Sequence, residues 1–234
     1  PDVPLVVPEV NPQAAYDAPR GILAIPNCTT TPLVMALKPL HEEAGLKRIV
    51  VSTYQSVSGT GAAAMEELME QTRAMFLFKD PEATVYPYQI AFNLLPQIGS
   101  FNDNGDCSEE LKIVRETRKI LGLPELRVTA TTIRVPVLRC HCETVNMEFE
   151  RPISADRARQ LLAQAPGVIL QDDPGNKVYP MPISATGKDE VFVGRVRADS
   201  SVPHGLNLWL ASDNLRKGAA LNAVQIAEIL VKAN

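Results

Sequence analysis

The sequence predicts an α/β fold whose later part is built on a mixed or antiparallel sheet. Parallel-looking strand–helix units near the start, a strand-dominated middle and a single closing helix are the observations behind it. Leu5-Val6-Val7 and the run from Gly21 to Ile25 are both apolar enough for strands. The second ends at Pro26-Asn27-Cys28, and a helical pattern follows with Leu33, Val34, Leu37 and Leu40 on one face, so Cys28 falls at a strand-to-helix junction. A strand from Arg48 to Tyr54 leads through Gln55-Ser56-Val57-Ser58-Gly59-Thr60-Gly61 into a helix with Met65, Leu68, Met69, Thr72 and Phe76 on one face. Ser108 to Leu121 reads as a helix with Ser108 as N-cap, Glu109 and Glu110 at its positive dipole end and Gly122 as its stop. Strands follow over Val128 to Val135 and Thr144 to Glu150, the latter alternating Val145, Met147 and Phe149 with polar neighbours. A helix from Ser154 to Ala165, strands near Val168 to Gln171, Val191 to Val196 and Leu206 to Leu210, and a helix from Asn214 to Lys232 complete the chain.

With 234 residues, 45% hydrophobic and 21% charged, the chain is long enough to bury one large core or two modest ones. Its 23 basic and 27 acidic residues give a net charge of −4. The basic residues are scattered, so there is no electrostatic footprint for nucleic acid or an anionic membrane. A small anionic substrate would have to be met by individually placed Arg or Lys. No apolar run approaches the roughly 18 residues of a spanning helix. The opening PDVPLVVPEV has neither the basic start nor the cleavage site of a signal peptide, so a cytoplasmic location is expected. Because proline comes first and a strand-like run begins at once, an upstream region is expected to be missing.

Cys28, Cys107, Cys140 and Cys142 form no C-x-x-C pair, and reduced thiols are the default. Cys140-His141-Cys142 invites a metal reading. Consecutive strand residues point to opposite faces, however, and no second ligand pair stands at zinc spacing, so no metal site is expected. Cys28 differs from the others in position. A helix N-terminus presents unpaired N–H groups and the positive dipole end, which lowers a thiol pKa and makes a nucleophile. The blander account is a small cysteine filling a helix-start pocket.

Pro26-Asn27-Cys28-Thr29-Thr30, Thr53-Tyr54-Gln55-Ser56-Val57-Ser58-Gly59 and the stretch from Arg134 to Arg139-Cys140-His141 together resemble the active-site set of aspartate-semialdehyde dehydrogenases. The resemblance extends through Ala91-Phe92-Asn93-Leu94-Leu95-Pro96-Gln97-Ile98, Glu109-Glu110-Leu111-Lys112, Val178-Tyr179-Pro180-Met181-Pro182, Val193-Gly194-Arg195 and the tail from Ser212 to Ala220. It implies Cys28 as nucleophile and His141, seven residues after the substrate-binding Arg134, as acid/base. It also implies that Gln55 orients the substrate carbonyl, Glu109 holds the substrate ammonium and Lys112 holds phosphate. Taken alone, Glu109 and Lys112 make an ordinary i,i+3 pair on a helix. The Cys28 N–H and the Asn27 side chain, from their place at the helix start, are candidates for stabilising the oxyanion.

The resemblance further implies NADP as cofactor, a homodimer, and L-4-aspartyl phosphate, L-aspartate 4-semialdehyde and phosphate as ligands in lysine, threonine and methionine biosynthesis. The implied fold is a Rossmann-type nucleotide-binding remnant over 1–27 and 212–234, plus a mixed α/β catalytic and dimerisation domain over 28–211, like that of glyceraldehyde-3-phosphate dehydrogenase. No G-x-G-x-x-G follows a strand in these residues. Ser58 and Gly59 resemble a loop whose backbone meets the nicotinamide half of NADP, and Asn214 matches a family position near the cofactor at the start of the last helix, although a turn and an N-cap would explain them equally well. The chain alone is therefore expected to be inactive. A reductase of another acyl phosphate or thioester, or a non-catalytic dimerisation homologue, are the alternative readings.

Overall fold

The clearest period-two pattern in the chain, Val145, Met147 and Phe149 between polar neighbours, lies in an inner strand of a six-stranded mixed sheet in the computed structural model, which describes residues 2–232. The strands are β1 (Leu46–Gln55), β2 (Arg127–Arg134), β3 (His141–Phe149), β4 (Val168–Leu170), β5 (Val191–Asp199) and β6 (Gly205–Ser212), in the order β2-β1-β3-β6-β5-β4. The outer pairs β1–β2 and β4–β5 are parallel, and the inner pairings are antiparallel. The chain crosses from β1 to the parallel β2 through two helices, and from β4 to the parallel β5 through the short helix α5 (Pro182–Ala185).

One sheet face carries the main core. Val51, Val145 and Leu208 stand in register across β1, β3 and β6, and α1 (Thr30–Ala44) lays Leu33, Leu37 and Leu40 on this core with no exposed surface. Cutting any of these leucines to alanine would cost roughly 2–5 kcal/mol. The helices α3 (Ser108–Leu121) and α4 (Ala155–Gln164) pack beside α1 on the same core. The opposite face holds a smaller cluster around Cys140, Cys142, Phe192 and Ala211, flanked by Tyr54 and Trp209 with ring centroids 5.6 Å apart.

Several expected elements are redrawn. Leu5-Val6-Val7 and Gly21 to Ile25 pair only through a parallel bridge between Leu5 and Ala24. Val7 joins the main core, whereas Val6 meets Ala15 and Ile226 of the last helix, α6 (Leu221–Lys232), in a separate apolar cluster with Leu23 packed against it. A π-turn over Arg216–Ala220 precedes α6, so the expected helix from Asn214 starts later. Cys107, not Ser108, caps α3, and Glu110 accepts the Cys107 N–H at 2.8 Å. β3 begins at His141, three residues before the expected strand, immediately after Cys140 at φ 74°.

The largest departure is in α2 (Ala62–Phe76). Met69 and Phe76 of its expected apolar stripe are exposed, and Glu67 and Gln71 are buried with Ala64 and Leu68. Those polar side chains serve the long segment after α2. Glu67 accepts N–H groups of Thr84 and Val85, and Gln71 Oε1 accepts those of Ile90 and Ala91 at 2.9 and 3.0 Å. A segment without its own ladder needs such acceptors for its backbone.

Candidate active site

The end of the core face where α1 begins is polar. Gln55 of β1 stands opposite His141 of β3, which stands opposite Ser212 of β6; Thr53 stands opposite Glu143. Alternation therefore sends Thr53, Gln55, His141, Glu143 and Ser212 to the side that α1 covers. Cys28 arrives from the other direction. Thr31 N–H bonds to the Asn27 carbonyl at 3.1 Å, so helical bonding already starts at Asn27 and Cys28 lies in its first turn. The Asn27 side chain closes that turn, with Oδ1 accepting from Thr29 N–H at 2.9 Å, from Thr29 Oγ1 at 2.6 Å and from the Cys28 thiol at 3.8 Å.

The junction is thus as expected, but its electrostatic effect is reversed. Burial, followed by the negative field of Glu109, pushes the Cys28 thiol up to about 12, against a smaller lowering by Arg134. At pH 7 the resting sulfur is therefore held as the thiol. The expectation of a lowered pKa is corrected: the dipole end of α1 is outweighed by desolvation and by a carboxylate from α3. Cys28 nevertheless keeps part of its surface exposed, whereas Cys107, Cys140 and Cys142 are buried.

Ser56 holds two of the expected residues at once. Its carbonyl accepts Arg134 Nη1 at 2.7 Å, and its N–H donates to His141 Nδ1 at 3.1 Å. A backbone N–H can only donate, so the neutral ring in this arrangement carries its proton on Nε2. His141 Nε2 is buried and has no hydrogen-bond partner, so no bond joins it to Cys28. Burial, then the adjacent Arg134 guanidinium, pulls the His141 pKa down to about 3, so the ring is neutral and not an imidazolium. Arg134 Nε is likewise buried without a partner. Arg134 also lines a cleft of ≈ 420 Å³ with Thr60, Tyr86, Tyr88, Gln97 and Phe101, within the size range of small-ligand sites.

The remaining candidates fall around this centre. Glu109 is buried, with Oε1 accepting Asn27 Nδ2 at 2.8 Å and Oε2 3.4 Å from Lys112 Nζ, whose side chain is about half exposed. The i,i+3 pair thus forms, and its carboxylate also reaches the cysteine turn. Gln55 is buried and donates to Thr53 Oγ1 at 3.3 Å. Gly59 lies where a Cβ would come within 3.0 Å of Arg134 Nη1 and 3.1 Å of His141 Nε2, so glycine lets the turn rest on both side chains. Asn214 is no N-cap. Its Oδ1 accepts from Cys140 N–H at 3.0 Å and from Ser58 Oγ at 3.1 Å, tying the β6 exit to the residue before His141.

Two residues escaped the reading of the sequence. Ser56 sat inside a recognised string without a role. Glu143 is fully buried, both its oxygens lack a partner, and burial drives its pKa well above the usual carboxylate range. Its signal was available, because two residues from His141 on a strand means the same face.

Around one end of this mixed sheet stand a cysteine turn, an arginine and a neutral histidine, and the profile of the semialdehyde dehydrogenase dimerisation domain matches residues 37–217. The chain belongs to the aspartate-semialdehyde dehydrogenase family. It is 55% identical over 234 residues to the aspartate-semialdehyde dehydrogenase of Aquifex aeolicus (strain VF5), a match covering 99% of this chain and 69% of that protein. The crystal structure of aspartate semialdehyde dehydrogenase II complexed with ASA from Vibrio cholerae matches at TM-score 0.96 and 47% identity, over 99% of this chain and 68% of that one. The Candida albicans enzyme crystallised with NADP matches at TM-score 0.73 and 28% identity, over 98% and 66% of the two chains. The α/β fold expected for the family is the fold observed. Among the described residues, no helix is long and apolar enough to cross a membrane.

Proposed function

We propose that these residues carry the cysteine chemistry of a reversible reduction of L-4-aspartyl phosphate to L-aspartate 4-semialdehyde, in the biosynthesis of lysine, threonine and methionine. The observation that carries this reading is that the Glu109 carboxylate reaches the cysteine turn through Asn27, while Arg134, with an unpartnered Nε, shares the Gly59 turn with His141. An α-amino acid offers both a carboxylate and an ammonium. Arg134 suits the first through its unpartnered Nε, and Glu109 suits the second.

This pairing also accounts for a site at rest. Apart from burial, Glu109 is the main influence raising Cys28, and Arg134 is the main influence lowering His141. A zwitterionic substrate neutralises both charges. Its binding therefore moves thiol and imidazole together toward proton transfer. Cys28 sulfur then attacks the acyl carbon, the thiol proton passes to His141 and leaves with phosphate, and a thioester forms. Lys112 is placed for the phosphate and Gln55 for the carbonyl. The Cys28 N–H suits the oxyanion; the Asn27 side chain reaches it only through the N–H that Glu109 does not take. NADPH, when bound, supplies the hydride that reduces the thioester. The expelled Cys28 thiolate takes up the solvent proton that the overall reduction consumes.

Ser58, Gly59 and Asn214 fit the nicotinamide end of NADP only, since these 234 residues contain no glycine-rich pyrophosphate turn. Residues 1–27 and 212–234 are assigned to a nucleotide-binding domain, supported by the separate cluster of Val6, Ala15 and Ile226; residue 1 and the last two lie outside the described residues. Residues 28–211 form the catalytic and homodimerising part, and the chain alone is assigned no reductase activity. A cytoplasmic homodimer completes the reading. The test is Glu109→Gln in an enzyme of the relatives' full length carrying this sequence. It should abolish most of the preference for the aspartyl substrate over an acyl phosphate lacking the amino group, and an intact preference would favour a reductase of another acyl group.

A further inference from the structure

We propose that the Ser56 hydroxyl, backed by Asn214, is a positioning group that lets His141 switch between its two neutral tautomers and so take the proton of Cys28. The inference rests on the proposed reading of Cys28 as nucleophile and adds the device that makes His141 a base.

The geometry poses the problem. His141 Nδ1 meets the Ser56 N–H at 3.1 Å, and that donor alone would fix the ring proton on Nε2. An imidazole held that way can donate from Nε2 but cannot accept there. The Ser56 hydroxyl stands at the same nitrogen, with Oγ 3.1 Å from Nδ1. Unlike the backbone, a hydroxyl can accept. When Nδ1 carries the proton, Ser56 Oγ receives it in a hydrogen bond that replaces the one from the Ser56 N–H, and Nε2 becomes a lone pair on the side of Gly59 and Arg134.

The hydroxyl's own proton then needs a place. Asn214 Oδ1 lies 3.3 Å from Ser56 Oγ, and its identity as the oxygen is fixed because the Cys140 N–H donates to it at 3.0 Å. Ser58 Oγ, 3.0 Å from Ser56 Oγ and 3.1 Å from Asn214 Oδ1, can also donate to Asn214 or stand in as acceptor. All four side chains, those of Ser56, Ser58, His141 and Asn214, are buried, so solvent does not compete for these protons. Arg134 at the end of β2 and the turn at Gly59 lie on the Nε2 side of the ring, and Gln55 of β1 and Ser212 of β6 flank His141 across the sheet. Nδ1 itself is hydrogen-bonded to the backbone N–H and the hydroxyl of Ser56. Ser56 therefore plays toward His141 the part that an orienting acceptor plays toward any histidine base.

When the thiol proton reaches Nε2, the imidazolium keeps its Nδ1–H on Ser56 Oγ, and the charge is spread toward the Asn214 carbonyl oxygen. No bond other than S–H and N–H changes in this step. Delivery of the Nε2 proton to the departing phosphate restores the neutral ring.

The experiment is ¹⁵N-histidine NMR of the purified chain, paired with the rate of Cys28 alkylation by iodoacetamide at fixed pH. Ser56→Ala keeps the backbone N–H, and the expected result is a His141 ring confined to the Nε2–H tautomer, with alkylation slowed by on the order of tenfold. Ser56→Thr should restore both. Asn214→Asp, which keeps the acceptor and adds charge, should raise the pH at which the ring protonates. An unchanged Cys28 alkylation rate in Ser56→Ala would overturn the proposal. So would a His141 ring that protonates at the parent pH in Asn214→Asp, and either result would leave the nucleophile to be judged separately by acylation of Cys28.

Discussion

The side-chain amide of Asn27 donates to Oε1 of Glu109 at 2.8 Å, joining residues 82 positions apart. Through Asn27 Oδ1, which accepts the Cys28 thiol at 3.8 Å, the carboxylate is coupled to the sulfur whose ionisation it opposes.

Replacing Glu109 by Gln keeps the hydrogen bond to Asn27 and removes the charge. Loss of a nearby negative charge favours the thiolate, so the Cys28 pKa falls and alkylation at pH 8 accelerates several-fold, by roughly tenfold per pKa unit. Timed iodoacetamide labelling read by peptide mass spectrometry checks it. Cys28 should lead the other three thiols in the parent chain as well, owing to its exposure rather than to acidity.

Arg134→Lys should raise KM for the aspartyl substrate with little loss of fold. A lysine ammonium can still approach the Ser56 carbonyl, but it cannot offer the two parallel N–H groups of a guanidinium. Lost buried pairs of this kind cost roughly 2–5 kcal/mol. Steady-state kinetics in the full-length enzyme carrying this sequence give the answer; an unchanged KM would remove Arg134 from substrate binding.

Glu143→Gln should stabilise the chain at neutral and alkaline pH. Burial raises the folded-state pKa of Glu143 above that of the unfolded chain, so the folded form holds the extra proton. Stability from this group is full below the unfolded carboxylate pKa and is lost as pH rises through the folded one. The amide has no such dependence. Thermal melts should therefore show the variant ahead of the parent at pH 8, with the gap closing near pH 4.

Isothermal titration of the 234-residue chain with NADP should show no binding at micromolar concentrations, because no helix start with a glycine turn is available for the pyrophosphate. Micromolar affinity would contradict the domain assignment.

Local pattern carried much of this structure. The alternation of Val145, Met147 and Phe149 marked β3, and Gly122 marked the end of α3, where it adopts φ 69°. Ser154 caps α4, accepting the Arg157 N–H. What stayed hidden depended on partners distant in sequence. The polar buried stripe of α2 answers the backbone of residues 84–91, and the strand-like Val6 is buried by α6 some 220 positions later. At the site, the junction holding Cys28 was legible, whereas its raised pKa depends on burial and then on Glu109 reaching it from α3. The neutrality of His141 likewise follows from complete burial and then from Arg134, neither visible in their seven-residue spacing.

The central claim is that Cys28 becomes acylated. The direct measurement is acid-quenched peptide mass spectrometry of the full-length enzyme carrying this sequence, after mixing with L-4-aspartyl phosphate in the absence of reductant. The account predicts one aspartyl group on the peptide bearing Cys28, none on those bearing Cys107, Cys140 or Cys142, and none anywhere in Cys28→Ser prepared identically. Turnover by Cys28→Ala at the parent rate, or an aspartyl adduct on another cysteine, would contradict it.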